Sequence, residues 1–258
     1  MPVHPTAIVS PAARIAETAE IGPYSIVGGE VEVGAGTRLM AHVYMEGPLR
    51  VGEDNVFFPY STVGVASQDL KYRGERAETR IGDRNKIREF VTIHRGTEGG
   101  GLITSIGDDN LLMAYVHVAH DVHVGNRVVL ANAVTLGGHV TVGDWAVIGA
   151  STGVHQFCRV GRHAIIGGYS VVTQDVLPFS STVSEREIKV HGANSTGLKR
   201  RGFEHAAIEN LQKALRLLTR AGLNTSQAAE RIRMEIPACP EVEELLSFIA
   251  ESQRGVIK

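Results

Sequence analysis

The sequence predicts a mainly β protein, a parallel β-helix with a small α-helical domain following it. Three observations predict this. Apolar residues recur at every sixth position over most of the first 178 residues. Aromatic residues make up only 5% of the chain while glycine accounts for 29 of 258, so a core must be built from Val, Ile, Leu and Ala. After Pro178 the sixfold count gives way to helical periodicity.

Counting by six from Val3 gives Val9, Ile15, Ile21, Val27, Val33, Leu39, Met45, Val51, Phe57 and Val63, all apolar. The count resumes at Ile81, Ile87 and Ile93, and again from Ile106 through Leu112, Val118 and onward to Val172. Six is neither a helical period nor strand alternation. It suits a short strand and a tight turn, with small or β-branched residues four places on, such as Ala19, Ser25, Val122 and Val128. Three such units close one coil of 18 residues, and coils stack about 4.8 Å apart through backbone hydrogen bonds. Two segments break the count and are expected as loops thrown out of the prism, residues 64–80 and 97–105. The expected division is a β-helix over 1–190 and a helical domain over 191–258. In the latter, Ala207, Leu211, Leu215 and Leu218 share one helical face ending near Gly222. Two more helices follow in "TSQAAERIRMEI" and "PEVEELLSFIAESQ", the last with Pro240 in its first turn. The helices would cover open strand edges at one end of the prism.

Bulk properties exclude several classes. A net charge of −2 argues against nucleic acid as the main partner. No apolar stretch is long enough for a membrane helix, and the first residues carry no secretory signal. Cys158 and Cys239 are too few and too far apart for a disulfide framework, so a reducing cytoplasm is expected.

The stretch "YVHVAHDVHVGNR" carries His117, His120 and His123 at even spacing. In a six-residue unit His117 and His123 fall on successive faces of the prism and His120 between them, so three ligands from this stretch cannot surround one ion at ~2.0–2.1 Å. A metal shared between chains, drawing on His117, His120, His139 and His155, survives that argument. Residues 18 apart stack, which puts His120, Gly138 and Gln156 in one column and Asp121 below His139. A histidine beside a carboxylate, with a bare glycine amide one rung away, holds the parts for acyl transfer: a general base, its orienting acid and an oxyanion donor. Spacing alone favours a packed or solvated His120.

The motifs "SIGDDNLLM", "VHVAHDVHVGNRVVLAN", "LGGHVTVGD", "GVHQFCRVG", "QDVLPF" and "GLKRRGF", with "QDLKY" and "IGDRNKIREFVTIHRGT", resemble the acyl-(acyl carrier protein)–UDP-N-acetylglucosamine O-acyltransferases over essentially the whole chain. The resemblance implies a left-handed coil, against the usual crossover handedness, and a homotrimer with active sites between subunits. It implies transfer of an (R)-3-hydroxyacyl group from acyl carrier protein to the sugar 3-hydroxyl, the first step of lipid A synthesis, without a cofactor. By the same resemblance His120 is the base, Asp121 its support and Gly138 the oxyanion donor. His139 contacts the sugar, and His117, His155 and Gln156 line the cleft. Asp69 and Lys71 contact substrate, Arg200 and Arg201 hold the diphosphate, Asn194 reaches the nucleotide sugar, and Gly168 leaves room for a longer acyl chain. His42, His163 and Cys158 are taken as structural.

Two departures leave contacts open: many relatives carry Gly-Asn-His where this chain has "SSTVSEREIKVHG", 180–192, and Glu where it has Thr196. Rival readings are the same chemistry on a 3-amino sugar, an intersubunit-zinc β-helical hydratase, and a non-catalytic nucleotide-sugar-binding scaffold. The related N-acyltransferase carries an added N-terminal uridine-binding domain, for which a repeat beginning at Val3 leaves no room.

Overall fold

The computed structural model of the chain describes residues 3–183, 189–220 and 222–258. Two- to five-residue strands wind into three sheets, one per face of a prism. Sheet one runs from Ile8–Val9 to Val171–Val172. Sheet two runs from Arg14–Ile15 to Arg159–Val160. Sheet three runs from Glu20–Ile21 to Ser180–Val183 and closes with Lys189–Ala193. Pairing is parallel with an 18-residue step, as in Ile8 with Ile26, or His117 with Thr135 and Thr135 with Gly153. Each sixth apolar residue points inward with its small partner four places on; Ile21, Leu39, Ile87, Leu112, Val118, Val122 and Val128 are all buried. Burying each larger aliphatic side chain contributes about 1.5–3 kcal/mol. Val3, Val9 and Ile15, in the first coil, are only partly covered because no coil lies beneath them.

The corners explain how so many non-glycine residues hold left-handed backbone. Asp54, Asp121, Arg127, His139 and Phe157 all have φ between 54° and 66°, a conformation costing ~1 kcal/mol or more per residue. Four of these amides donate to the corner carbonyl one coil below, Asp54 to Ala35, Arg127 to Asp108, His139 to His120 and Phe157 to Gly138, while that of Asp121 donates to the Thr104 hydroxyl. That repeated bond offsets the strain and stacks the corner side chains. Along the edge between sheets three and one, Tyr24, His42, Tyr60, Phe90 and Tyr115 stack with centroids 4.9–5.1 Å apart. Beneath the edge between sheets two and three, buried Asn55, Asn85 and Asn110 hold the next coil through their side-chain oxygens, which accept from the Asn85, Asn110 and Val128 amides.

Both interruptions leave at the same edge, between sheets one and two. The first leaves after Val65 and rejoins at Glu78; the second leaves after His94 and rejoins at Ile103. Thr62 therefore pairs with Thr92, and Thr92 with His117, across longer intervals than the 18-residue step. The ends of the expected loops, 64–80 and 97–105, are thus drawn into strands, and the second extrusion begins earlier than counted.

The sheet also outlasts the sixfold count. Ser180–Val183 pairs in parallel with Ile165–Ile166, and Lys189–Ala193 returns antiparallel, so the expected boundary at 190/191 falls inside a strand. Helices follow: α1 Ser195–Arg200, α2 His205–Arg220, α3 Thr225–Glu235 and α4 Pro240–Glu251. Asn224 and Gln227 form a capping box at α3. The segment after α4 is pinned to the prism by buried Asp175, whose side chain accepts from the Arg159 amide and the Ser252 hydroxyl.

Candidate active site

At the edge shared by sheets one and two, the turn after His117–Val118 carries His120 and left-handed Asp121. One coil up stand Gly138 and His139, and above them Gln156 and Phe157. His120 Nδ1 lies 2.8 Å from Asp121 Oδ2, and the Asp121 side chain is fully buried. Its other ring nitrogen, Nε2, faces Asp69 Oδ2 at 4.0 Å. The Lys71 amide fixes Asp69 by donating to Oδ1 at 3.0 Å.

The His120 ring lies against Gly138. A Cβ at Gly138 would fall 2.5 Å from Cε1 and 2.6 Å from Nε2, so only glycine leaves the imidazole in place. The amides flanking Gly138 donate to ladder carbonyls, Gly137 to Val154 and His139 to His120. That of Gly138 has no acceptor among the described residues. An N–H left free beside an imidazole can serve as an oxyanion donor.

Other groups surround this pair. The His139 ring meets His120 edge-on at 5.1 Å and stacks flat on Phe157 at 4.3 Å. His139 Nδ1 is 3.9 Å from Asp121 Oδ2. Burial lowers the pKa of His139 and of His117, leaving both less readily protonated than a free imidazole. His117 Nδ1 sits 2.7 Å from Thr92 Oγ1, with its ring against buried His94, which burial pushes down to about 4. A cavity of about 420 Å³ opens beside the column, lined by Asp69, Lys71, Tyr72, Glu98, His139 and Phe157 among others.

Curated relatives align along nearly the whole chain. The acyl-[acyl-carrier-protein]–UDP-N-acetylglucosamine O-acyltransferase of Thermodesulfovibrio yellowstonii is 47% identical over 256 residues, 99% of each chain. That of Xanthomonas axonopodis pv. citri is 46% identical, covering 99% of this chain and 97% of its own. The family model for domain 2 of UDP N-acetylglucosamine O-acyltransferase matches residues 175–257, and the six-repeat bacterial transferase hexapeptide model matches 103–138.

The chain belongs to the UDP-N-acetylglucosamine O-acyltransferase family.

Solved acyltransferases of the family superpose along their full length. That of Bacteroides fragilis has a TM-score of 0.97 at 39% identity, covering 99% of this chain and 100% of its own. That of Moraxella catarrhalis has 0.95 at 41%, covering 99% of both. The prism is accordingly a left-handed β-helix.

Within this acyltransferase the predicted residues fall on separate parts of the prism. His120, Asp121, Gly138, His139, Gln156, Asp69 and Lys71 gather at the edge between sheets one and two. His155 lies beside them, exposed, its Nδ1 3.1 Å from the Gln156 carbonyl oxygen. His123 is on sheet two against Ser105 Oγ, which resolves the evenly spaced histidines into three different settings. Asn194 and Arg201 lie at the edge between sheets two and three. Asn194 caps α1 and donates to the His163 carbonyl, and Arg201 donates to the Trp145 carbonyl with its guanidinium over the indole. Arg200 is exposed near the end of α1. Gly168 sits at the third edge, across sheet one from His120, against the Ala150 backbone. Thr196 is exposed in α1, and residues 184–188 of the divergent stretch lie outside the described residues. Several side chains at the site escaped the sequence reading, Phe157, Thr97, Tyr72 and Glu98 among them. Phe157 was detectable, being 18 residues beyond His139; Thr97, which bonds Asp121, left no signal in the repeat.

Proposed function

We propose that the chain transfers an (R)-3-hydroxyacyl group from acyl carrier protein to the 3-hydroxyl of UDP-N-acetylglucosamine, the first step of lipid A synthesis, with His120 as general base. The observation that carries the mechanism is the column itself: an imidazole with one nitrogen on a buried carboxylate and the other facing Asp69, lying against Gly138, whose amide has no acceptor among the described residues. Asp121 accepts from Nδ1–H and so leaves Nε2 unprotonated toward the cavity. Nε2 takes the hydroxyl proton as the sugar oxygen bonds to the thioester carbonyl carbon. The resulting oxyanion rests on the Gly138 N–H. When the carbon–sulfur bond breaks, the imidazolium returns the proton to the departing thiol. His139 and Asp69 border the acceptor, with Lys71, His117, His155 and Gln156 lining the cleft.

The active enzyme is a homotrimer. In one chain Asn194 and Arg201 stand at a different edge from His120, so a diphosphate held by Arg200 and Arg201 beside a neighbour's His120 requires a second copy. The acyl chain runs over sheet one, where Thr135, Gly153 and Val171 stack in register, toward Gly168. The described residues include no helix long and apolar enough to cross a membrane, and the carrier-protein donor puts the reaction in the cytoplasm.

The test is incubation with UDP-N-acetylglucosamine, its 3-amino analogue and a panel of 3-hydroxyacyl carrier proteins, with the product weighed. The ester product is expected, and His120→Ala should lower its formation at least ~10²-fold. Amide product alone would reassign the acceptor, and full activity of His120→Ala would remove the base.

A further inference from the structure

We propose that residues 96–100, with Thr97 at their centre, are a clamp that positions the Asp121 carboxylate and through it the His120 imidazole. This rests on the reading of His120 as base.

Near its start the second extrusion carries "GTEGG", which lies flat on that carboxylate. Thr97 is 5% exposed and makes two bonds to it: its amide donates to Oδ1 at 2.8 Å and its hydroxyl to Oδ2 at 2.5 Å. Oδ2 is the same oxygen that faces His120 Nδ1. The Thr104 hydroxyl holds the Asp121 amide from below at 2.8 Å. Two glycines permit the approach. A Cβ at Gly100 would stand 2.0 Å from Asp121 Cγ, and one at Gly96 would stand 2.8 Å from Oδ1 and 2.3 Å from the Ile103 amide nitrogen. The clamp is tied in turn to the extrusion carrying Asp69, since the Glu98 amide donates to Glu75 Oε1.

The two Thr97 donors on a fully buried carboxylate fix its plane and leave Oδ2 a defined lone pair for Nδ1–H, which sets the tautomer that frees Nε2. The Thr97 hydroxyl also draws off part of the Oδ2 charge. Without it that charge would hold the imidazolium more tightly.

The experiment compares Thr97→Val, Thr97→Ser, Gly100→Ala and His120→Ala in the full-length protein, measuring kcat, acceptor KM and the pH profile of kcat/KM. Thr97→Val should lose about 10-fold in kcat with acceptor KM nearly unchanged, and the acid limb of kcat/KM should move to higher pH. Thr97→Ser should restore both. Gly100→Ala removes no bond but displaces the carboxylate, and should lower kcat at least as much. An unchanged rate and profile in Thr97→Val or Gly100→Ala, with His120→Ala inactive, would overturn the clamp. So would equal losses in the Val and Ser variants with the acid limb unmoved, the mark of packing alone. An active His120→Ala would instead bring down the base assignment, and the clamp with it.

Discussion

Gly138→Ala probes the column with a single methyl group. The backbone at Gly138 lies outside the left-handed region, so alanine meets no conformational obstacle, and stiffening the unfolded chain stabilises by ~0.4–1 kcal/mol. The obstacle is the His120 ring. The new Cβ would sit 2.5–2.6 Å from Cε1 and Nε2, whereas ordinary contact begins at 3.4 Å. The ring must withdraw by about 1 Å, and a misplacement of that size at a reacting group costs ~10²-fold in rate. Overpacking costs about 1–3 kcal/mol, so after the gain above the net cost is ~0–2.6 kcal/mol and the melting temperature should fall by at most ~10 °C. The assay is steady-state acyl transfer followed by product mass, beside a thermal melt and a sizing measurement to show the oligomer intact. A folded Gly138→Ala protein retaining half its activity would refute the geometry of base over amide.

Burial, with the neighbouring charges of His117 and His120, holds His94 at about 4, and burial with Arg162 nearby holds His163 there as well. Both lie below the ordinary 6.5, so the unfolded chain takes up the proton first as pH falls. Stability is full above about pH 6.5 and is lost toward pH 4, by roughly 3 kcal/mol per group. His94→Phe should flatten part of that loss, read as the denaturant midpoint at pH 7 and pH 5; an unchanged slope would contradict the assignment. Asn85→Leu should cost ~3 kcal/mol by leaving the buried Asn110 amide and the Gly107 carbonyl without their side-chain partner, while Asn55 Oδ1 keeps the Asn85 amide, with kcat unchanged below the melt. Treatment with a chelator should leave acyl transfer intact, whereas a loss restored by zinc would favour the hydratase chemistry.

The coil was legible because three-unit closure gives every sixth residue the same surroundings, so one apolar requirement is written into the chain many times over. The same stacking rule made Asp121 and His139 readable as neighbours from the sequence. What repetition does not encode was not readable. Nothing in "GTEGG" announces that its glycines pack on a carboxylate two dozen residues later, because that contact is made once. Strand Ser180–Val183 was hidden because its outer partner returns antiparallel and breaks the sixfold count. Short α1 was not separately readable because "LKRRGFEH" carries no apolar stripe of its own. The arginines of "LKRR" were readable as a cationic pair, but their place at an edge apart from His120 was not.

Sharing of the site between chains is tested most directly by subunit complementation. His120→Ala and Arg201→Ala should each be nearly inactive alone. In mixed trimers assembled at equal ratio, a site joining His120 of one copy to Arg201 of the next is intact in about a quarter of cases, so about a quarter of wild-type activity should return. Mixed trimers of confirmed composition that stay as inactive as their parents would contradict an active site built from two copies of this chain.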